Sequence, residues 1–163
     1  MTEPEILTTE PELTESEKYM KEALLEAEKA LAAGEVPIGA IMVRNGEIIA
    51  RGHNLRNTDR NPLRHAEIDV IDASAKIVGD WRLEDCVLYV TVEPCPMCAG
   101  AIINARIRRV IYGAKDERAG CCGSVADFFV MPFNHNPLSR SGILAEECKT
   151  LLLDFFSSLR NEE

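Results

Sequence analysis

This sequence of 163 residues lacks several features that define other classes of protein. No apolar run approaches the roughly 20 residues of a membrane span, and the first 17 residues contain no Lys or Arg, so we expect neither an anchor nor a secretory signal. Internal repeats and low-complexity segments are also missing. The six cysteines are too unevenly spaced for a dense disulfide framework. We therefore expect reduced thiols, a cytoplasmic location and no membrane partner.

The net charge of -9 is concentrated at the two ends of the chain. Residues 18–161 hold 18 basic and 19 acidic residues, so the body of the chain is almost neutral. We expect residues 1–13 to be an acidic, flexible extension and residues 14–160 to form a single domain. Two segments of this domain, 51–64 and 106–118, are rich in Arg and Lys. They are candidate phosphate-binding surfaces, and solvated loop faces are an equally good interpretation.

Hydrophobic periodicity and turn residues predict alternating helices and strands. A capping box at Thr14 and Glu17 starts the first helix, and the Asn45-Gly46 pair is a strong hairpin signal between two strands. The predicted helices cover 14–33, 65–78, a segment from 95 onwards, a short turn capped by Ser124, and 143–159; the predicted strands cover 37–43, 46–52, 86–92 and 108–113. This order implies a mixed sheet between layers of helices.

The stretch EPCPMC at 93–98 places two cysteines at the start of a helix. Pro96 suits the first helical position, so Cys95 becomes the cap-like residue and Cys98 lies on the same side of the opening turn. The positive end of a helix stabilises thiolates, the form in which cysteine binds metals. The same spacing also occurs in redox motifs and structural zinc sites, so the remaining ligands decide its role.

His65 is the best candidate for a third ligand because it opens another predicted helix, although a lone histidine there is more often a surface or capping residue. One nitrogen and two sulfurs suit zinc. A closed structural site needs a fourth protein ligand, and the candidates are His53, Cys86, Cys121, Cys122, His135 and Cys148. Glu67 favours an open, catalytic site, since a carboxylate beside an activated water can transfer its proton. Its alternative role is that of a first-turn glutamate favoured by the helix dipole.

The combination of His-Ala-Glu at 65–67 with Pro-Cys-x-x-Cys at 94–98 resembles the zinc nucleobase deaminases. Further segments resemble the bacterial tRNA adenosine deaminases in particular: VPIGAIMV, GHN, LYVTVEPCPMCAGAI, RIRRVIYGAKD and GILAEECKTLLLDFF. The resemblance implies a three-layer α/β/α cytidine deaminase-like fold with a mixed sheet of about five strands. It also implies a homodimer with one zinc ion per subunit, acting on the tRNA anticodon stem-loop.

The resemblance assigns zinc binding to His65, Cys95 and Cys98, and proton transfer to Glu67. The implied reaction converts adenosine to inosine at the wobble position, A34. An activated water attacks C6 of the adenine, Glu67 protonates the ring nitrogen and then the departing amine, and ammonia leaves.

Three loop residues match substrate contacts of the same family. Asn54 matches a residue that hydrogen-bonds the base, while Asp116 and Asn134 match contacts to the nucleotide and its ribose. Asn and Asp in loops are ordinarily turn formers, which is the alternative role for all three. Two other functions stay open at this point: a deaminase of a free base or nucleoside such as guanine or cytosine, and a non-catalytic interaction domain stabilised by zinc.

Overall fold

The computed structural model describes residues 13–161. Within these residues, four helices, five strands and one short 3-10 helix follow one another. They are α1 Glu15–Ala32, β1 Gly39–Arg44, β2 Glu47–His53, α2 Ala66–Val78, β3 Cys86–Val92, α3 Pro96–Asn104, β4 Arg109–Ala114, the 3-10 helix Phe128–Val130, β5 Leu138–Arg140 and α4 Ala145–Arg160. The helices and strands that periodicity predicts are therefore present, with ends that differ by a few residues.

The five strands form one mixed sheet in the order β2-β1-β3-β4-β5. Strand β1 pairs antiparallel with both β2 and β3, whereas β3, β4 and β5 are parallel. Strands β2, β3 and β4 consequently run in the same direction. Their carboxyl ends lie along one edge of the sheet, which is where ligands bind in open sheets of this kind.

Helices cover both faces of the sheet. Helices α1 and α4 pack on one face around residues such as Met20, Ile41 and Cys148, and α2 and α3 pack on the other around Val70 and Ile102. Six of the seven residues of strand β3 are buried between these layers, as its continuous apolar sequence predicts. The three-layer α/β/α arrangement with a mixed sheet of five strands is confirmed.

Local sequence signals explain how the first elements form. The Thr14 hydroxyl accepts a hydrogen bond from the Glu17 N–H at 3.2 Å, and the Glu17 carboxylate accepts one from the Thr14 N–H at 3.3 Å, so the predicted capping box is confirmed. Asn45 and Gly46 both have positive φ, 51° and 78°, which is the conformation of a type I′ hairpin turn. The register of β1 and β2 is fixed by this turn.

Gly39 allows α1 to lie close against the sheet. A side-chain methyl group at this position would overlap the backbone of α1 at Ala23 O and Ala27 N. The absence of a Cβ at Gly39 therefore sets the distance between α1 and the start of β1.

One local prediction is wrong, and one strand was not predicted. Ser124 does not cap a helix; Asp127 does, because its carboxylate accepts a hydrogen bond from the Phe129 N–H at 3.1 Å. Strand β5 was not predicted from periodicity, since it has only three residues and all of them are exposed. A strand this short and exposed leaves no alternating pattern to detect.

The expectation of a flexible N-terminal extension over residues 1–13 falls almost wholly outside the described range. The other expectation is that the chain has no membrane span. Between residues 13 and 161, no helix combines the length and the apolar character that crossing a bilayer requires.

Candidate metal centre and active site

Three segments meet at the edge of the sheet where β2, β3 and β4 end. Asn54 follows β2, Glu93 and Cys95 follow β3, and Asp116 follows β4. The loop after β2 leads to His65 at the start of α2, and the segment after β3 leads into α3. Residues that are far apart in sequence are thus brought together by strand direction alone.

His65, Cys95 and Cys98 form a three-membered group that can hold a metal ion. His65 Nδ1 lies 3.6 Å from Cys95 Sγ and 3.5 Å from Cys98 Sγ, and the three ligand atoms lie within 4.8 Å of one another. With Zn–N of about 2.05 Å and Zn–S of about 2.3 Å, a tetrahedral site separates nitrogen and sulfur ligands by about 3.6 Å. The observed spacing fits zinc.

The backbone at both helix starts explains why the ligands converge. His65 and Cys95 are the N-cap residues of α2 and α3, with extended backbone angles and no side-chain hydrogen bond to the helix. Pro96 at the first helical position holds the turn that carries Cys98, as predicted. Because both helices point their positive ends at the group, thiolate ligands are stabilised there.

Hydrogen bonding within the group favours one thiolate. The bond with Cys98, supported by His65 and opposed by burial, lowers the pKa of Cys95 to about 4. The same bond to Cys95, together with burial, raises the pKa of Cys98. The bond to Cys95 also raises the pKa of His65, against the effect of burial. The group therefore offers a thiolate ready to bind a metal.

None of the other candidate ligands joins this group in the part of the chain that the structure describes. The only cluster of metal-ligating side chains within residues 13–161 is His65, Cys95 and Cys98. His135 Nε2 instead lies 2.7 Å from Ile107 O, and the Cys121 thiol is directed to Ala119 O at 3.6 Å. Three protein ligands with a fourth position left for solvent or substrate are typical of a catalytic zinc site.

Glu67 lies beside the group in the first turn of α2. Its side chain is only 4% exposed, and its charge interacts with Cys98, Cys95 and His65. Burial is the main cause of a raised pKa for Glu67, with hydrogen bonds from its own backbone N–H and from Cys98 opposing it. A buried carboxyl with a raised pKa next to a metal centre is suited to carrying a proton.

The structure places two of the three predicted substrate contacts at the same edge. Asn54 is buried, and its side-chain oxygen accepts a hydrogen bond from the Arg56 N–H at 3.2 Å. Asp116 accepts hydrogen bonds from the N–H groups of Arg118 and Ala119 at 3.0 and 3.2 Å. Both residues therefore also have the turn-forming role that was the alternative.

Asn134 is not brought to the metal group of its own chain. It is exposed, and the hydrogen bond between its neighbour His135 and Ile107 O holds this segment near the amino end of β4. The metal group lies at the opposite edge of the sheet, beyond the carboxyl end of β3.

The two basic segments are divided by the fold. In the first, Arg51 pairs with Glu22 at 2.8 Å and Arg64 with Asp59 at 2.9 Å, whereas Arg56 and Arg60 are exposed on the loop that leads to His65. In the second segment, Arg108 and Arg109 lie at the amino end of β4, and Lys115 and Arg118 lie beyond its carboxyl end, near the metal group. The basic side chains of the second segment are therefore divided between the two edges of the sheet.

Sequence reasoning missed two buried glutamates that hold the loops at this edge. Glu35, 1% exposed, accepts hydrogen bonds from the N–H groups of Asn57 and Thr58 at 3.0 and 3.1 Å. Glu93, 3% exposed, accepts hydrogen bonds from the loop that follows β4. Although burial acts to raise the pKa of Glu93, these hydrogen bonds together lower it. A signal was present for Glu93, since it directly follows a strand with six of its seven residues buried and lies two residues before a predicted ligand.

The fold and a three-membered group that can hold a metal ion are typical of a deaminase, and comparison with known proteins agrees. Residues 14–160 match the MafB19-like deaminases, and the chain belongs to this family. A tRNA-specific adenosine deaminase of Bacillus subtilis (strain 168) is 51% identical over 120 residues, which cover 73% of this chain and 74% of that protein. The resemblance inferred from the sequence is therefore confirmed.

Two solved structures are similar to this chain in fold and sequence. One comes from a study of A-to-I editing by tRNA:A34 deaminases at the wobble position of transfer RNA; it has a TM-score of 0.81 and 43% identity, covering 83% of this chain and 99% of that chain. A guanine deaminase from Bacillus subtilis has a TM-score of 0.60 and 35% identity, covering 89% of this chain and 93% of that chain.

Proposed function

We propose that this protein is a tRNA adenosine deaminase, a hydrolase that converts A34 of the anticodon to inosine and releases ammonia. The observation that carries the proposal is the convergence of one imidazole and two thiols, with a buried glutamate beside them, at the edge where three strands end. The relative at 51% identity, which is a tRNA-specific adenosine deaminase, supports the choice of substrate.

His65, Cys95 and Cys98 bind one zinc ion in each subunit. The proposal is supported by the spacing of about 3.6 Å expected for tetrahedral N and S ligands, which matches the 3.5 and 3.6 Å observed. Bound zinc supplies the Lewis acidity that makes a water molecule nucleophilic near neutral pH.

Glu67 moves the protons of the reaction. Its carboxylate accepts a proton from the attacking water and delivers protons to the adenine ring nitrogen and then to the amine at C6. Because burial raises the pKa of Glu67, the group holds a proton between these steps more readily than an exposed glutamate would. One water is consumed, and the products are inosine and ammonia.

The loops after β2 and β4 hold the nucleotide. Asn54 hydrogen-bonds the base, for which its buried position beside the metal edge is suitable, and Asp116 contacts the nucleotide and its ribose. Exposed Arg56, Lys115 and Arg118 lie on the same two loops and can meet phosphates. An anticodon loop presents bases that are partly unstacked, so the insertion of one base avoids much of the cost of flipping it out of a duplex.

The enzyme acts in the cytoplasm as a homodimer. Support for dimerisation comes from exposed apolar side chains around the site and the 3-10 helix: Leu63, Val125, Val130 and Phe133 are 48% to 77% exposed. Exposed apolar surface of this kind often marks an interface. Asn134 lies away from the metal group of its own chain, and it adjoins Phe133. In the proposed dimer, Asn134 therefore contacts the nucleotide held by the neighbouring subunit.

A free-base deaminase is the second candidate, and the similarity to a guanine deaminase at 35% identity is the observation that favours it. Its zinc chemistry and proton transfer would be the same. The two candidates differ in whether the base is presented by a folded RNA loop or enters the site alone.

The test is incubation of the purified protein with an anticodon stem-loop that carries A34, with inosine read by sequencing. We expect inosine at position 34 and none in a matched stem-loop whose adenosine is moved to position 35. Ammonia release from free guanine, cytosine and adenosine is measured in parallel. Turnover of a free base or nucleoside, with none on the stem-loop, would replace the proposal by the second candidate.

A further inference from the structure

We propose that Glu93 is a positioning residue that fixes the loop 115–124 against the metal centre and thereby determines how tightly the substrate binds. The proposal deepens the function proposed above and rests on it for the identity of the substrate. Glu93 does not need to contact the substrate for this role, because it acts through the loop.

Four donors from this one loop converge on the Glu93 carboxylate. Oε1 accepts hydrogen bonds from the Asp116 N–H at 3.1 Å and from the Ser124 hydroxyl. Oε2 accepts hydrogen bonds from the N–H groups of Cys122 at 3.0 Å and Ser124 at 3.1 Å. The first and last of these donors are eight residues apart, so a single side chain holds both ends of the loop.

The chemistry of the cluster requires a carboxylate. An ionised carboxylate accepts at both oxygens, whereas a glutamine offers one accepting oxygen and one donating amide group. Each Glu93 oxygen already accepts two donors, so glutamine in either orientation would place its amide group against two of them. Because only the Ser124 hydroxyl can reverse its role and accept, at least one backbone N–H in a region where Glu93 is 3% exposed would then lack an acceptor.

The middle of the loop packs directly on Glu93 and on the segment that carries the metal ligands. A side-chain methyl group at Gly120 would overlap the Glu93 carboxylate, so the backbone passes immediately over it. The next residue, Cys121, donates its N–H to Pro94 O at 2.9 Å, one residue before the ligand Cys95. The position of the loop is therefore coupled to the chain at the metal centre.

Another buried glutamate, Glu26, shows that this pattern is not a general feature of the protein. Glu26, also 3% exposed, lies on α1 and interacts with side chains: Lys29 at 2.8 Å, His53 at 3.4 Å and Arg51 at 3.9 Å. Its partners are ordinary ion-pair partners on the side of the sheet that α1 covers. Glu26 therefore provides a matched control for the loss of a buried carboxylate charge.

The experiment compares Glu93→Gln with Glu26→Gln in the full chain loaded with zinc. Peptide-resolved hydrogen exchange, zinc content, and kcat and KM on the A34 stem-loop are measured for each variant. In Glu93→Gln, exchange should become faster in 115–124 and stay unchanged in 54–64. KM should rise about tenfold or more, as expected for the loss of a charge-assisted hydrogen bond. The zinc content should match that of the wild type, and kcat should stay within about threefold of it, a change below 1 kcal/mol.

Ser124→Ala provides a milder variant in case Glu93→Gln folds poorly. It removes only the hydroxyl donor, so exchange in 115–124 should accelerate less and KM should rise less. An unchanged exchange rate in 115–124, or a KM that rises equally in Glu26→Gln, would overturn the proposal. Loss of zinc together with kcat would also overturn it, since Glu93 would then act through the metal ligands. If the wild type leaves the stem-loop unmodified, the proposed function fails, and the exchange comparison alone decides whether Glu93 holds the loop.

Discussion

Glu67 is the residue whose environment departs furthest from that of an ordinary helix-start glutamate. A first-turn glutamate normally stabilises the helix dipole from an exposed position, but Glu67 is 4% exposed and interacts with the three side chains that can hold a metal ion. Burying an ionised carboxylate costs free energy unless the group is paired or hydrogen-bonded, and burial accordingly raises the pKa of Glu67. The proposed role of Glu67 in proton transfer is consistent with this position.

Replacing Glu67 by Gln should reduce kcat on the stem-loop by about 10²- to 10⁴-fold, the usual contribution of a positioned proton-transfer group. Zinc content and the thermal midpoint should stay close to the wild-type values, because the change conserves size. Asp72→Asn, an exposed position further along α2, is the matched control and should retain full activity. A Glu67→Gln enzyme with wild-type kcat would exclude the residue from the mechanism.

The grouping of His65, Cys95 and Cys98 could be predicted from the sequence, and the residues that hold the loops could not. His65, Glu67, Cys95 and Cys98 stand at the starts of two helices whose periodicity is clear. Glu93 acts on backbone N–H groups of a loop whose path depends on the ends of two parallel strands. No side-chain pattern encodes the partners of such a residue, so only the structure reveals its role.

At the scale of the elements, the packing of α1 on the sheet depends on Gly39. Ala at this position should reduce the free energy of unfolding by about 1–3 kcal/mol, since its methyl group meets backbone rather than a movable side chain. The matched control is Gly100→Ala on the exposed side of α3, which meets nothing within 4 Å and should stabilise the protein by about 0.5–1 kcal/mol. Urea denaturation of both variants measures the difference, and equal stabilities would mean that α1 lies further from β1.

Elements with strong local signals were predicted and those defined by tertiary contacts were not. The capping box at Thr14 and the turn at Asn45 fix α1 and the hairpin within a few residues of sequence. Strand β5 exists only because β4 offers it a parallel partner at Leu138–Arg140. Ser124 resembled a helix cap in sequence, but its N–H and hydroxyl are drawn to Glu93.

At the scale of the whole molecule, we expect the acidic N-terminal residues to oppose the binding of RNA to an almost neutral body. Residues 1–12 contain four Glu and no basic residue. Deleting them should leave kcat unchanged and raise the affinity for the stem-loop slightly at low salt. The gain should disappear at higher salt, because screening at about 0.1 M limits the reach of a charge to about 10 Å.

The matched control for this deletion is the full chain with the four glutamates changed to glutamine. Binding of a labelled stem-loop is measured by fluorescence anisotropy across a salt series. Both variants should gain the same affinity if charge is responsible. A gain in the deletion alone would assign the effect to the length of the extension, and no gain in either would show that the extension is irrelevant to binding.

The two outer strands of the sheet have a consequence for the behaviour of the protein at high concentration. Strand β5 presents only three residues, and β2 carries Glu47 and Arg51 and pairs with β1 through a register shift between Met42 and Val43. Edge strands that are short, charged or irregular offer a poor template for pairing with a strand from another molecule. We therefore expect crowded solutions of this protein to resist fibrillar aggregation.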